Sequence, residues 1–187
     1  MSMCSYPTDQ PSDVTELAAR IGRLEAAVAV QRALNDYFYL LDSGRTDELL
    51  DVFTDNVSWA ASNIPFGSGQ NLALRGRSQV RPVVERLGYG GFRHHGLNTD
   101  INVDAAAESA TSSSYMLVIS RSPEVAGSIM LLGGLYEGTW RRDAERWRIA
   151  SWQVSHQWLV DGVAGEKFFD GLREGTRWDG YPRVEAL

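Results

Sequence analysis

The sequence predicts an α+β fold in which a curved antiparallel sheet wraps around N-terminal helices, forming a cone with an internal pocket (an α+β barrel). Two observations carry this prediction. Apolar residues recur at steps of three and four in the N-terminal stretch up to Leu41, which is typical of a helix, and at steps of two from Ile101 onward, which is typical of strands. Short hairpin-like turns join those strands. Such a cone suits a small hydrophobic ligand.

Composition narrows the class of protein. The 187 residues, 43% hydrophobic and 22% charged, predict one globular domain. The net charge of -6 disfavours a nucleic-acid partner, and the single Cys4 excludes a disulfide framework. Because neither a membrane-length apolar run nor a signal-peptide pattern is present, we expect a cytoplasmic protein without a membrane partner. The expected parts are a flexible tail (1–12), the cone domain (13–165) and a C-terminal helix and tail (166–187).

The first long helix is predicted to begin after Ser12 or Asp13, either of which can cap it, and to run to Leu41. Gly22 suggests a break within it, and Gly44 suggests a left-handed end. A short helix (Asp47–Phe53), two strands (Val57–Ala61 and Leu72–Arg75) and a helix capped by Ser78 are expected to follow. The later strands are predicted at Ile101–Asp104, Ser109–Ser120, Gly127–Arg141 and Trp147–Val160, with a bulge at Gly133-Gly134.

Adjacent histidines stand where the strands begin, in the stretch Phe92–Asp100. Successive strand residues point to opposite faces, so at most one of His94 and His95 faces the pocket. His94 is favoured, and His95 is expected at the surface or in an interface. A neutral imidazole is well matched to removing a carbon-bound proton near neutral pH. The sequence therefore suggests a general base at His94.

Other candidates have both a functional and a structural interpretation. Asp42 either closes the first helix or acts in the site, although an acid at a helix C-terminus opposes the macrodipole. Tyr37 is either a core residue or a hydrogen-bond donor. His156 shares a strand face with Trp152, so it lines the pocket or an interface. The expected pocket walls, which are equally expected as core, are Trp59, Phe66, Tyr115, Met130, Leu132, Tyr136, Trp152 and His156.

Several short patterns together resemble the SnoaL-like branch of the nuclear-transport-factor-like cone fold. They are Tyr37–Gly44 followed by Asp47-Glu48-Leu49, Arg75-Gly76, His94-x-Gly96-x-Asn98, Gly134-x-Tyr136, Trp140-Arg141-Arg142 and Trp147-Arg148-Ile149. The chain looks most similar to scytalone dehydratase, hexachlorocyclohexane dehydrochlorinase and bile acid 7α-dehydratase. These are cofactor-free elimination enzymes that use an aspartate–histidine dyad, often with a helix tyrosine. The resemblance places those roles on Asp42, His94 and Tyr37.

The resemblance has gaps that bear on the substrate. The bile acid enzyme carries an acid on a middle strand, where this chain has Leu117-Val118-Ile119, and the second histidine of scytalone dehydratase matches none here unless His156 reaches in. We therefore expect a metal-free and cofactor-free lyase, isomerase or cyclase, most simply a dehydratase, acting on a polycyclic, terpenoid or polyketide-like molecule. The alternatives are a non-catalytic ligand-binding or assembly protein and the small subunit of an aromatic-ring dioxygenase. A homo-oligomer, dimer or trimer, is expected to cover the outer face of the sheet.

Overall fold

The structure is a computed structural model that describes residues 13–63, 69–89, 91–121 and 128–164. Its helices are Val14–Asp42 (α1), Thr46–Asp51 (α2) and Arg77–Tyr89 (α3). Its strands are Phe53–Ser62 (β1), Asn71–Arg75 (β2), Arg93–Val103 (β3), Ser109–Arg121 (β4), Ser128–Asp143 (β5) and Arg146–Ala164 (β6). The N-terminal tail, the expected C-terminal helix and Phe66 lie outside the described residues.

The six strands form one curved, unclosed sheet in the order β2-β1-β6-β5-β4-β3. Together with the N-terminal helices, this sheet confirms the predicted α+β cone. The expectation of a wholly antiparallel sheet was wrong for one pair, because β1 runs parallel to β6 and places Trp59 beside Trp152. Hairpin turns force neighbouring strands to be antiparallel, whereas β1 and β6 are far apart in the chain and no turn dictates their relative direction.

Helix α1 is continuous from Val14 to Asp42, so the break predicted at Gly22 is absent. The Asp13 side chain accepts a hydrogen bond from the backbone N–H of Thr15 (3.1 Å) and caps the first turn. A Cβ at position 22 would meet no atom within 4 Å, so packing does not demand glycine there. The surrounding helix-forming residues outweigh its cost of about 1 kcal/mol.

Two observed element boundaries differ from the predicted ones, and in both cases strand pairing in the sheet is the reason. Helix α2 ends at Asp51 and not at Phe53, because Phe53 is fully buried and pairs with Ile149 of β6. Strand β3 begins at Arg93, well before the predicted Ile101, because Arg93–Leu97 pair with β4. The histidines therefore lie within a strand, and the sheet fixes the directions of their side chains.

Helix α1 has two apolar faces. One is packed into the cone and consists of Ala26, Val30, Leu34, Tyr37, Phe38 and Leu41. The other is exposed and consists of Val14, Leu17, Ile21, Leu24 and Val28, each between 45% and 82% accessible. No described helix is both long and apolar enough to cross a membrane. The expected homo-oligomer stays a prediction.

The bulge predicted at Gly133-Gly134 is confirmed by a shift of register between β5 and β6. A Cβ at position 134 would lie 1.9 Å from the backbone oxygen of Ser155, which cannot move without breaking the sheet. We expect Gly134→Ala to lower the free energy of unfolding by about 3 kcal/mol or more. The control Gly22→Ala should raise it by about 0.5–1 kcal/mol. Urea unfolding measures both, and equal effects would contradict the packing described here.

Candidate active site

An aspartate–histidine pair joins the end of α1 to the start of β3. The Asp42 Oδ1 atom lies 2.5 Å from Nδ1 of His94, and Asp42 Oδ2 accepts the backbone N–H of His94 at 2.9 Å. Both side chains are largely buried, with 8% of His94 and 14% of Asp42 accessible. One carboxylate therefore holds both the ring and the backbone of the histidine.

The helix end that carries Asp42 is fixed by local structure. The Ser43 hydroxyl donates to the carbonyl of Tyr39 (2.6 Å), and Gly44 takes a left-handed φ of 66°. Gly88 of α3 packs closely against this turn, since a Cβ there would lie 2.8 Å from the Gly44 Cα. An acid at a helix C-terminus is normally disfavoured by the dipole. Here the two hydrogen bonds to His94 offset that cost.

The partner strand is positioned by a close approach of helix and sheet. Gly96 faces α1, and a Cβ on it would meet the Phe38 ring at 2.8 Å. Strand β3 is an edge strand, so a side chain and not another strand accepts the N–H of His94. His94 is largely buried while its neighbour His95 is exposed on the other face. The strand geometry thus separates the two histidines as the alternation indicates.

The hydrogen-bond pattern sets the tautomer of His94. An ionised carboxylate only accepts hydrogen bonds, so the Nδ1 atom of His94 carries the proton. The Nε2 atom then keeps its lone pair, which is the arrangement required of a general base. A carboxylate in this position is also suited to stabilise an imidazolium, were Nε2 to take a proton.

A second histidine lies near the first. The Nδ1–H of His156 donates to the carbonyl of Ser62 (2.7 Å), which leaves its Nε2 unprotonated in the neutral form. Burial lowers the pKa of His156, and the proximity of His94 lowers it further, although the bond to Ser62 opposes both effects. His156 is therefore kept neutral close to the pair.

The lowered pKa of His156 predicts a pH dependence of stability. The unfolded chain binds a proton at His156 below about pH 6.5, where the folded protein still resists it, so stability falls as the pH drops through that window. We expect His156→Gln to lose less stability than the wild type between pH 7.5 and pH 5.5. Urea unfolding at the two pH values checks this, and equal losses would show that His156 titrates normally in the fold.

The side chains that were expected to line the pocket do not all lie on the same face of the sheet. Trp59, Tyr136 and Trp152 are buried on the inner face, and Leu132 packs against the core. Met130 is half-buried. Tyr115 was wrongly expected in the pocket: it is 58% accessible, because odd-numbered residues of β4 face outward. Tyr37 is buried against Phe38, the next residue of α1.

Burial raises the pKa of the Tyr37 hydroxyl, and the negative charge of Asp42 adds to the rise. The indole N–H groups of Trp59 and Trp152 act in the opposite direction. Burial also raises the pKa of Tyr136, with Tyr37 and Asp42 adding to it. Both tyrosines therefore keep their protons at neutral pH and are available as hydrogen-bond donors.

The three helices and the curved six-stranded sheet of the described residues place the chain among the α+β cone folds. The chain belongs to the SnoaL-like domain family, whose model matches residues 22–153. No protein with a curated description matches the chain.

Solved structures share the fold at low sequence identity. A protein provisionally named a scytalone dehydratase, from Novosphingobium aromaticivorans, is 22% identical over 78% of this chain and 93% of that chain, with a TM-score of 0.65. The hexachlorocyclohexane dehydrochlorinase LinA-type3 from Novosphingobium barchaimii is 17% identical over 78% and 97%, with a TM-score of 0.62. A provisionally named aromatic ring hydroxylase from N. aromaticivorans is 18% identical over 74% and 94%, with a TM-score of 0.62.

Proposed function

We propose that the protein is a cofactor-free lyase, isomerase or cyclase in which His94 removes a carbon-bound proton from a small hydrophobic substrate. The observation that supports this proposal is the buried pair, in which Oδ1 of Asp42 lies 2.5 Å from Nδ1 of His94. A proton on Nδ1 leaves the Nε2 lone pair available to act as the base. The family and its dehydratase and dehydrochlorinase neighbours support an enzyme of this general kind.

In a dehydration, the proton on a carbon next to a carbonyl passes to Nε2 of His94, and the electron pair of the broken C–H bond forms the new double bond. The carbon–oxygen bond on the adjacent carbon breaks, and the departing oxygen takes a proton from the Tyr37 hydroxyl and leaves as water. Asp42 stabilises the imidazolium, and return of that proton to Tyr37 through solvent restores both groups. The buried aromatic side chains favour a polycyclic, terpenoid or polyketide-like substrate.

A bicyclic β-hydroxy ketone, 3-hydroxy-1-tetralone, tests this chemistry. Removal of the proton beside its carbonyl exchanges hydrogen for deuterium in D₂O, and loss of water yields fluorescent 1-naphthol. We expect the protein to accelerate deuterium incorporation at that carbon, as followed by mass spectrometry. Binding without exchange would instead favour a non-catalytic ligand-binding protein of the same fold.

A second candidate is the small subunit of an aromatic-ring dioxygenase, which the provisionally named ring hydroxylase of the same fold favours. Such a subunit needs a large partner and no proton-transfer pair of its own. Gel filtration of the protein alone and with host lysate separates the two: a self-contained oligomer that catalyses exchange excludes the subunit role.

A further inference from the structure

A row of exposed apolar side chains runs along the first half of helix α1. Successive members are alternately three and four residues apart, and each is between 45% and 82% accessible. This row, called the α1 seam below, consists of Val14, Leu17, Ile21, Leu24 and Val28. A mean spacing of about 3.5 residues is the repeat that lets two helices stay in contact along one line.

The seam ends where the repeat meets polar residues. The next two positions of the same repeat are Gln31 and Asn35, and the Gln31 amide donates to the Asn35 side-chain oxygen at 3.1 Å. The seam also faces away from the cone. The buried face of α1 begins at Ala26 and continues through Val30, which lie on roughly the opposite side of a helix with about 3.6 residues per turn. Two copies of α1 can therefore meet through their seams and leave the cones on opposite outer sides.

The first three turns of α1 have little packing within the chain. None of the described residues 13–25 is buried, and Ala26 is the first buried residue of the helix. A helical segment of about 12 residues is only marginally stable by itself in water, because most helical stability in proteins comes from packing of an apolar face. An apolar row left exposed on such a segment is typical of an interaction surface.

The residue types of the seam indicate which kind of partner fits. In a heptad lettered a to g, Val14, Ile21 and Val28 occupy the a positions, whereas Leu17 and Leu24 occupy the d positions. Every a residue is therefore β-branched and every d residue is leucine. In parallel coiled coils, this combination favours two helices over three or four.

The charges beside the seam agree with a parallel pair of identical helices. Arg20 occupies a g position, and Glu25 occupies the e position of the next heptad. When two parallel helices are in register, Arg20 of one copy lies beside Glu25 of the second copy, and the reverse contact forms by symmetry. An exposed ion pair adds little affinity, but it favours this orientation and this partner.

We propose that the α1 seam is a docking surface for a second copy of this chain, and that the two helices form a short parallel coiled coil. A two-fold pair places the same surface on both sides, and the seam is self-complementary in its apolar side chains and in its charges. The seam is shorter than the three to four heptads typical of a coiled coil that stands alone. The cone, however, already holds α1 as a helix from Ala26 onward, so pairing does not have to nucleate the helix. This surface is separate from the outer face of the sheet.

Analytical ultracentrifugation of the whole chain tests the pairing. Leu24→Glu places a charge at the middle of the seam and should halve the mass of the assembly, because the contact between two copies is lost. Ala19→Glu adds the same charge at an exposed position on the opposite side of the helix and should keep the wild-type mass. Equal masses for the wild type and Leu24→Glu, at concentrations up to about 1 mM, would overturn the proposal, whichever other segment or molecule then covers the seam.

Cross-linking tests the parallel orientation. In a chain whose Cys4 is replaced by serine, Leu17→Cys should form an intermolecular disulfide on mild oxidation, because position 17 of one copy lies beside position 17 of the other. Ala19→Cys in the same background is equally on the surface but points away from the second copy, and it should remain uncross-linked. Non-reducing gel electrophoresis measures both. Equal cross-linking of the two variants, or a Leu17→Cys dimer that stays uncross-linked, would overturn the parallel pair.

Discussion

Replacing His94 with alanine is expected to lower deuterium incorporation from D₂O into 3-hydroxy-1-tetralone about 10³-fold or more. The variant removes the imidazole that is bound to Asp42 through Nδ1 and that is the base in the proposed mechanism. His156 does not compensate, because its Nδ1 is bonded to Ser62 and its orientation is set by β6. The measurement is the exchange rate by mass spectrometry, with the melting curve of each variant recorded alongside.

The matched control is His95→Ala, one residue along the same strand. His95 is exposed on the opposite face of β3, so its loss should leave the exchange rate within about twofold of the wild type. A folded His94→Ala protein with full activity would refute the role of His94. Equal losses in both variants would point to damage to the strand and not to a missing base.

Replacing Asp42 with asparagine is expected to lower kcat about 10³–10⁴-fold while preserving the shape of the site. The carboxylate now accepts from two donors, the Nδ1–H and the backbone N–H of His94. An asparagine has one acceptor and one donor end, so satisfying the backbone N–H turns its amide NH₂ toward Nδ1. That forces the proton onto Nε2, and the base then faces the substrate without a lone pair.

A melting curve distinguishes this explanation from simple loss of fold. Asp42→Asn should keep a cooperative melting transition while its kcat falls, because asparagine has nearly the same shape as aspartate. Asp36→Asn, an exposed acid on the same helix, is the control and should behave as the wild type. An Asp42→Asn enzyme with wild-type kcat would show that the carboxylate only closes the helix.

The sequence predicted the structural features that depend on the spacing of neighbouring residues. The change of period predicted helices before strands, the paired glycines predicted a bulge in β5, and strand alternation separated His94 from His95. Prediction from local spacing was wrong where the position of a residue depends on the strand with which it pairs. Phe53 looked helical but belongs to β1, since its partner Ile149 lies almost a hundred residues away. Tyr115 looked like a pocket residue, but the register of β4 turns it outward.

By itself, the sequence determined which residues were available for proton transfer and placed Asp42 at a helix end and His94 near a strand start. Only the tertiary structure decided that they meet, because hydrogen bonds between residues 52 positions apart depend on how α1 docks against the edge strand. It alone also decided that β1 lies parallel to β6, which sets Trp59 beside Trp152. Residue types follow from the chain, whereas the meeting of an acid and an imidazole follows from the packing of a helix end against a distant strand.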